Sequence, residues 1–100
     1  IMFSARFMAA DEAFQMGLVN RVCEIDELEL AVRDYAALIA ANAPLTVKAA
    51  KAAINEAVKD PERRDLESIS TMINRCFDSD DYKEGRAAFK EKRKPVFKGV

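Results

Sequence analysis

The chain has 100 residues, 50% apolar and 33% charged, with 16 basic against 17 acidic side chains, no His, no Trp and two Cys. Without an imidazole there is no Ser-His-Asp or Cys-His arrangement and no His-based metal site, so any proton transfer would fall to a carboxylate, a Lys or a Tyr. A compact chain of this size would expose roughly 5,700 Å², enough for one core and too little for two.

Residues 1–7 mix apolar and small side chains without helical period and predict a short strand followed by a loop. An opening Ile inside the apolar run Ile1, Met2, Phe3 reads as a piece of a longer chain. From Ala9 to Met16 the composition favours helix, with Asp11 and Glu12 in the first turn and Gly17 supplying a left-handed end. Leu18, Val19, Val22 and Cys23 then predict a brief buried strand.

From Asp26 onward the pattern is helical. Asp26 with Glu29 three residues later has the form of a capping box. Leu28, Ala31, Tyr35, Leu38 and Ile39 mark one apolar face of a helix to about Ala41, where Asn42 and Pro44 stop it. Pro44 suits the first turn of the next helix, whose apolar side is expected at Leu45, Val47, Ala50, Ile54, Ala57 and Val58, until Asp60 and Pro61. A third helix carries Leu66, Ile69, Met72, Ile73, Cys76 and Phe77 inside. The fourth starts near residues 79–81 and runs through Tyr82, Gly85, Ala88 and Phe89 toward Arg93, with Pro95 beyond it. A mid-helix Gly85 implies the close approach of another group.

Carboxylates cluster at predicted helix starts (Asp11/Glu12, Asp26/Glu27/Glu29, Asp80/Asp81). There the backbone donors and dipole lower a carboxyl's pKa, so capping explains them better than general acid catalysis. Three glycines, Gly17, Gly85 and Gly99, cannot build a phosphate-cradling GxGxxG or GxxxxGK loop. Cys23 and Cys76 have neither disulfide-framework nor zinc spacing and are expected reduced, in a cytoplasmic setting. No apolar run approaches the ~20 residues that cross a bilayer.

Charge is unevenly placed. Lys83, Arg86, Lys90, Lys92, Arg93, Lys94 and Lys98, set against Glu84 and Glu91, give a C-terminal stripe of +5 and leave −6 on the first 82 residues. Interleaved with Phe89 and Phe97, the stripe offers cations to a phosphate and ring faces to a planar base, or is a solvated helix face with a frayed tail. The acidic body and few stacking platforms argue against nucleic acid.

The run Ala9-Ala10-Asp11-Glu12-Ala13-Phe14-Gln15-Met16-Gly17-Leu18-Val19-Asn20-Arg21-Val22 resembles the A-x-E-A-x-x-x-G-L-V-(N/D)-x-V stretch of the enoyl-CoA hydratase/isomerase (crotonase) family. The likeness continues in Ala41-Asn42-Ala43-Pro44-Leu45 and from Asp81 to Phe97. It implies a mainly α architecture, with short N-terminal strand and helix elements and then about four helices, resembling the C-terminal helical trimerisation region of the ClpP/crotonase-like fold. Residues 1–25 would end the spiral β/α core, and residues 26–100 would form the oligomerising, CoA-contacting region. In the family the upstream core supplies the backbone N–H pair of the oxyanion hole and the catalytic acids, so the resemblance assigns no catalytic residue here. It implies a homotrimer or dimer of trimers and a last helix at the adenosine 3′-phosphate end of CoA, with Phe89 beside the adenine and Lys92 paired with phosphate. CoA would enter as part of the substrate. The implied parent is an acyl-CoA-processing enzyme, most simply a hydratase of 2-enoyl-CoA, otherwise an isomerase or another crotonase-family enzyme. The piece alone would be inactive; the alternative reading makes it a helical self-association module with no activity of its own. Some members carry an aromatic residue where this chain has Ile73.

Overall fold

Among the described residues, helix-forming runs punctuated by Gly, Pro and Asn produce five α-helices and one 3-10 turn: α1 (Ala10–Gln15), α2 (Leu28–Ala40), α3 (Pro44–Ala57), the turn Pro61–Arg63, α4 (Leu66–Asp78) and α5 (Asp80–Glu91). The computed structural model describes residues 2–100. Two compact units divide it, the first ending at Arg33 and the second running Asp34–Val100.

In the first unit, α1 closes as its sequence predicts. Gly17 takes φ +72°, and its N–H donates to the Phe14 carbonyl at 3.0 Å while Leu18 N–H donates to Ala13 at 2.8 Å. These two bonds satisfy carbonyls that the helix end would leave open. Neither expected strand forms among the described residues, and Ile1 lies outside them. A strand needs a neighbour for its backbone ladder. Here Ala5 breaks the extended run at φ +48°, and the Leu18 donor is already committed to α1. Val19 and Val22 are exposed where the sequence predicts burial.

The Asp26–Glu29 capping box also fails to form. Two tight turns lead into α2, Glu27 N–H donating to the Glu24 carbonyl and Leu28 N–H to the Ile25 carbonyl. Glu29 instead accepts from Arg33 one turn later. At the other end of α2, Asn42 Nδ2 donates to the Leu38 carbonyl at 2.7 Å, which explains why the helix stops there.

In the second unit, α3 begins on Pro44, whose missing N–H costs nothing at a first turn. Its inward side differs from the expected stripe. Ala49 is buried, and Leu45, Ala52 and Ala53 are half-buried, whereas Ile54 and Val58 remain 66% and 83% exposed. Half-buried Leu45 and Val47 follow the expected stripe, and small side chains at Ala49, Ala52 and Ala53 complete the inner side, so that it turns away from Ile54 and Val58. Arg64 caps the end of α3 through the Ala57 and Lys59 carbonyls, both at 3.0 Å. Asp65 is the N-cap of α4, accepting from Ser68 N–H at 2.9 Å. On α4, Ile69, Met72 and Cys76 are half-buried as expected, while Leu66, Ile73 and Phe77 are exposed. Both cysteines are free and half-buried.

Ser79 caps α5 through Tyr82 N–H at 3.0 Å. The helix ends at Glu91, short of Arg93, because Lys92 turns left-handed at φ +56°. The chain then doubles back along α5. Glu84 Oε1 accepts Val96 N–H at 2.8 Å, and Asp81 accepts Lys98 and Gly99 N–H at 2.6 and 2.8 Å. The C-terminal segment is therefore docked, which replaces the frayed-tail alternative. The buried apolar residues among those described are Ala13, Ala49 and Ala88. Where composition predicts one compact domain, the chain divides into the two units given above.

Candidate functional site

Within the second unit, α3, α4, α5 and Phe97 line an open cleft of about 640 Å³. Its walls are apolar: Leu45 and Ala49 from α3, Phe77 from α4, Tyr82 and Phe89 from α5, and Phe97 from the tail. Tyr82 meets Phe77 edge to face, with centroids 5.2 Å apart at 76°, a favoured aromatic geometry. The Arg86 guanidinium carbon lies 5.8 Å from the Tyr82 ring centroid, within cation–π range. Arg86 thus brings a cation to an apolar wall.

Of the two sequence-predicted site residues, Phe89 sits on the cleft at 88% exposure, a bare ring face at the rim. Lys92 does not line the cleft. It lies one turn further on, at the left-handed end of α5, where its N–H closes the helix onto Phe89 at 3.3 Å. Its side chain is exposed and makes no ion pair among the described residues. The two are neighbours by helical spacing, a ring followed by an uncommitted ammonium.

The basic stripe is less uniformly positive than its sequence implies. Arg93 forks onto Glu84 at 2.6 and 2.9 Å and reaches Glu91 at 2.6 Å, and Lys83 pairs with Asp80 at 2.7 Å. Glu84 is held at about 2, far below the usual carboxyl range, first by the Arg93 guanidinium and then by Val96 N–H. Asp80 is lowered chiefly by its bond to Lys83. These are ionised anchors, the opposite of what a general acid requires. The Asp81 carboxylate is likewise committed to two backbone donors. The arrangement suits binding by stacking and charge. Sequence reasoning missed Glu84 and Phe97 as structural partners, although Gly85 signalled a neighbour that proves to be Phe97: a Cβ built there would lie 3.5 Å from its ring.

A sequence profile described as enoyl-CoA hydratase/isomerase matches residues 1–100. A short-chain-enoyl-CoA hydratase of Clostridium acetobutylicum is 39% identical over 94 residues, covering 94% of this chain and 36% of that protein. The methylmalonyl-CoA decarboxylase of Escherichia coli is 36% identical over 102 residues, covering 99% of this chain and 39% of its own length. Among solved structures, an enoyl-CoA hydratase/carnithine racemase of Magnetospirillum magneticum superposes with a TM-score of 0.86 at 43% identity, over 100% of this chain and 37% of that one. The chain thus spans little more than a third of these relatives. With a family profile matched along its whole length, the chain belongs to the enoyl-CoA hydratase/isomerase family.

Proposed function

We propose that this chain is the coenzyme-contacting and subunit-associating part of an acyl-CoA-processing enzyme, most simply one that hydrates a 2-enoyl-CoA. The observation that carries the reading is the pairing of an 88% exposed Phe89 ring with an unpaired Lys92 one turn later on α5, in a chain matched throughout by the family profile. Phe89 offers the adenine a stacking face, and Lys92 offers the 3′-phosphate a point charge. CoA arrives as part of the substrate, and the proton transfers belong to residues outside this chain. The likeness of residues 81–97 to the family's closing block supports placing the chain in the C-terminal third of the parent. Two free cysteines fit a reducing, cytoplasmic setting.

In the full-length enzyme, Lys92→Ala should raise KM for the thioester about tenfold with little change in kcat, because the contact is equally strong in ground and transition states. A collapsed kcat at unchanged KM contradicts the assignment.

Exposed apolar side chains on α2, including Leu30, Tyr35 and Leu38, support the second role, association of copies as a trimer or dimer of trimers. Light scattering on the 100-residue chain should find oligomers. A clean monomer that binds no apolar dye opposes that role.

A further inference from the structure

After α5 the chain has no regular secondary structure, yet side chains of one face of α5 hold its backbone. Asp81 Oδ1 and Oδ2 accept Lys98 and Gly99 N–H at 2.6 and 2.8 Å, and Glu84 Oε1 accepts Val96 N–H at 2.8 Å. In return the Val100 carbonyl accepts the N–H groups of Asp80 and Asp81 at 2.9 and 3.2 Å, filling two open donors at the start of α5. Asp81 is only 3% exposed. Arg93 adds a two-pronged ion pair to Glu84 at the other end of the segment. Phe97 stands between the two carboxylate anchors in sequence. Its ring lies over Gly85, 3.5 and 3.7 Å from where a Cβ would be, and it lines the cleft.

We propose that residues 93–100 form a carboxylate-anchored strap, and that Asp81 and Glu84 are positioning residues which, by holding it, seat the Phe97 ring as a wall of the cleft. Backbone N–H bonds to ionised carboxylates are roughly twice as strong as neutral ones, so a few such bonds can fix a segment that buries little apolar surface. The cleft's shape then depends on polar anchors in α5, and releasing the strap removes one aromatic wall. The inference concerns the same cleft as the coenzyme reading but requires no contact of Phe89 or Lys92 with CoA.

Proton NMR and amide exchange on the full 100-residue chain test it. The Gly85 α-protons, lying against the Phe97 ring, should carry a ring-current shift that Phe97→Ala abolishes and Phe97→Tyr retains. Asp81→Asn replaces one acceptor oxygen by an NH2 group facing an N–H donor. It should speed exchange at Lys98 and Gly99 by about tenfold or more, the loss of at least ~1.4 kcal/mol of local protection, and move the Gly85 resonances toward those of Phe97→Ala, with Ala53 and Met72 amides unchanged. Unaltered Gly85 resonances in Asp81→Asn overturn the proposal, as does unaltered exchange at Lys98 and Gly99. Should Asp81→Asn not fold, Glu84→Gln, which loses the charged fork with Arg93, must shift Gly85 in the same direction, and its failure to do so is equally decisive. Lys92→Ala, which tests the coenzyme reading, should leave the Gly85 resonances in place.

Discussion

At Lys92 the observed backbone role and the proposed charge role pull the residue's identity in opposite directions. Its backbone ends α5 at φ +56°, a conformation that a residue with a Cβ adopts at a cost of about 1 kcal/mol and Gly adopts freely. Stability alone would favour Gly there, as the chain itself uses at the end of α1 (Gly17, φ +72°). Lys92→Gly should therefore raise unfolding free energy by about 1 kcal/mol in a denaturant melt, while losing the charge proposed to meet phosphate. A destabilised Lys92→Gly would contradict this account of the backbone. Ala88 is the opposite case. At 1% exposure it has no room beside it, and Ala88→Leu should cost about 1–3 kcal/mol by overpacking.

At the scale of elements, caps and stops were largely legible and faces were not. Gly17, Asn42, Pro44 and Ser79 act through local backbone geometry, so their roles follow from a few adjacent residues. Ser79→Ala should cost about 1 kcal/mol of stability by freeing Tyr82 N–H. The inner face of α3 depends on what packs against it, and no local pattern shows that Ala49 and Ala53 outrank Ile54 and Val58. The two expected strands failed for a related reason: an extended run becomes a strand only with a partner, and the described residues offer none. The docking of the tail on α5 rests on pairs nine to twenty positions apart, such as Arg93 with Glu84 and Asp80 with Val100. Beyond Gly85, whose missing side chain signals a neighbour without naming it, periodicity carries no trace of them.

The tail docking has a definite pH sign. The Glu84 carboxyl stands at about 2 in the folded chain against an ordinary 4.5, so its folded form binds protons more weakly than its unfolded form. The stabilisation is fully present above about 4.5 and is lost as pH falls through the folded value near 2. Following Val96 N–H by NMR should show its hydrogen-bonded shift unchanged from neutrality to about pH 4.5 and fading toward pH 2. Loss of that shift near pH 6 would place the anchor elsewhere.

Over the whole molecule, the buried apolar set among the described residues is three alanines, while Phe3, Phe7, Ile25, Leu38, Ile54 and Phe89 face outward. Such surface in a family member spanning 36% to 39% of the relatives described above is consistent with the proposed association of copies. The near-zero net charge averages an acidic body with a C-terminal stripe whose Arg93 and Lys83 are internally paired and whose Lys92 makes no ion pair among the described residues. The missing imidazole, which excludes imidazole-based catalysis, is compatible with the proposed division of labour, in which this chain contacts coenzyme and associates with other copies. The most direct test of that division compares, in the full-length enzyme, equilibrium affinity for CoA and for CoA lacking its 3′-phosphate. The unmodified enzyme should prefer CoA by about tenfold, roughly the 1.4 kcal/mol of one exposed charge-assisted contact, and Lys92→Ala should erase the preference. An equal preference in both proteins would contradict the account.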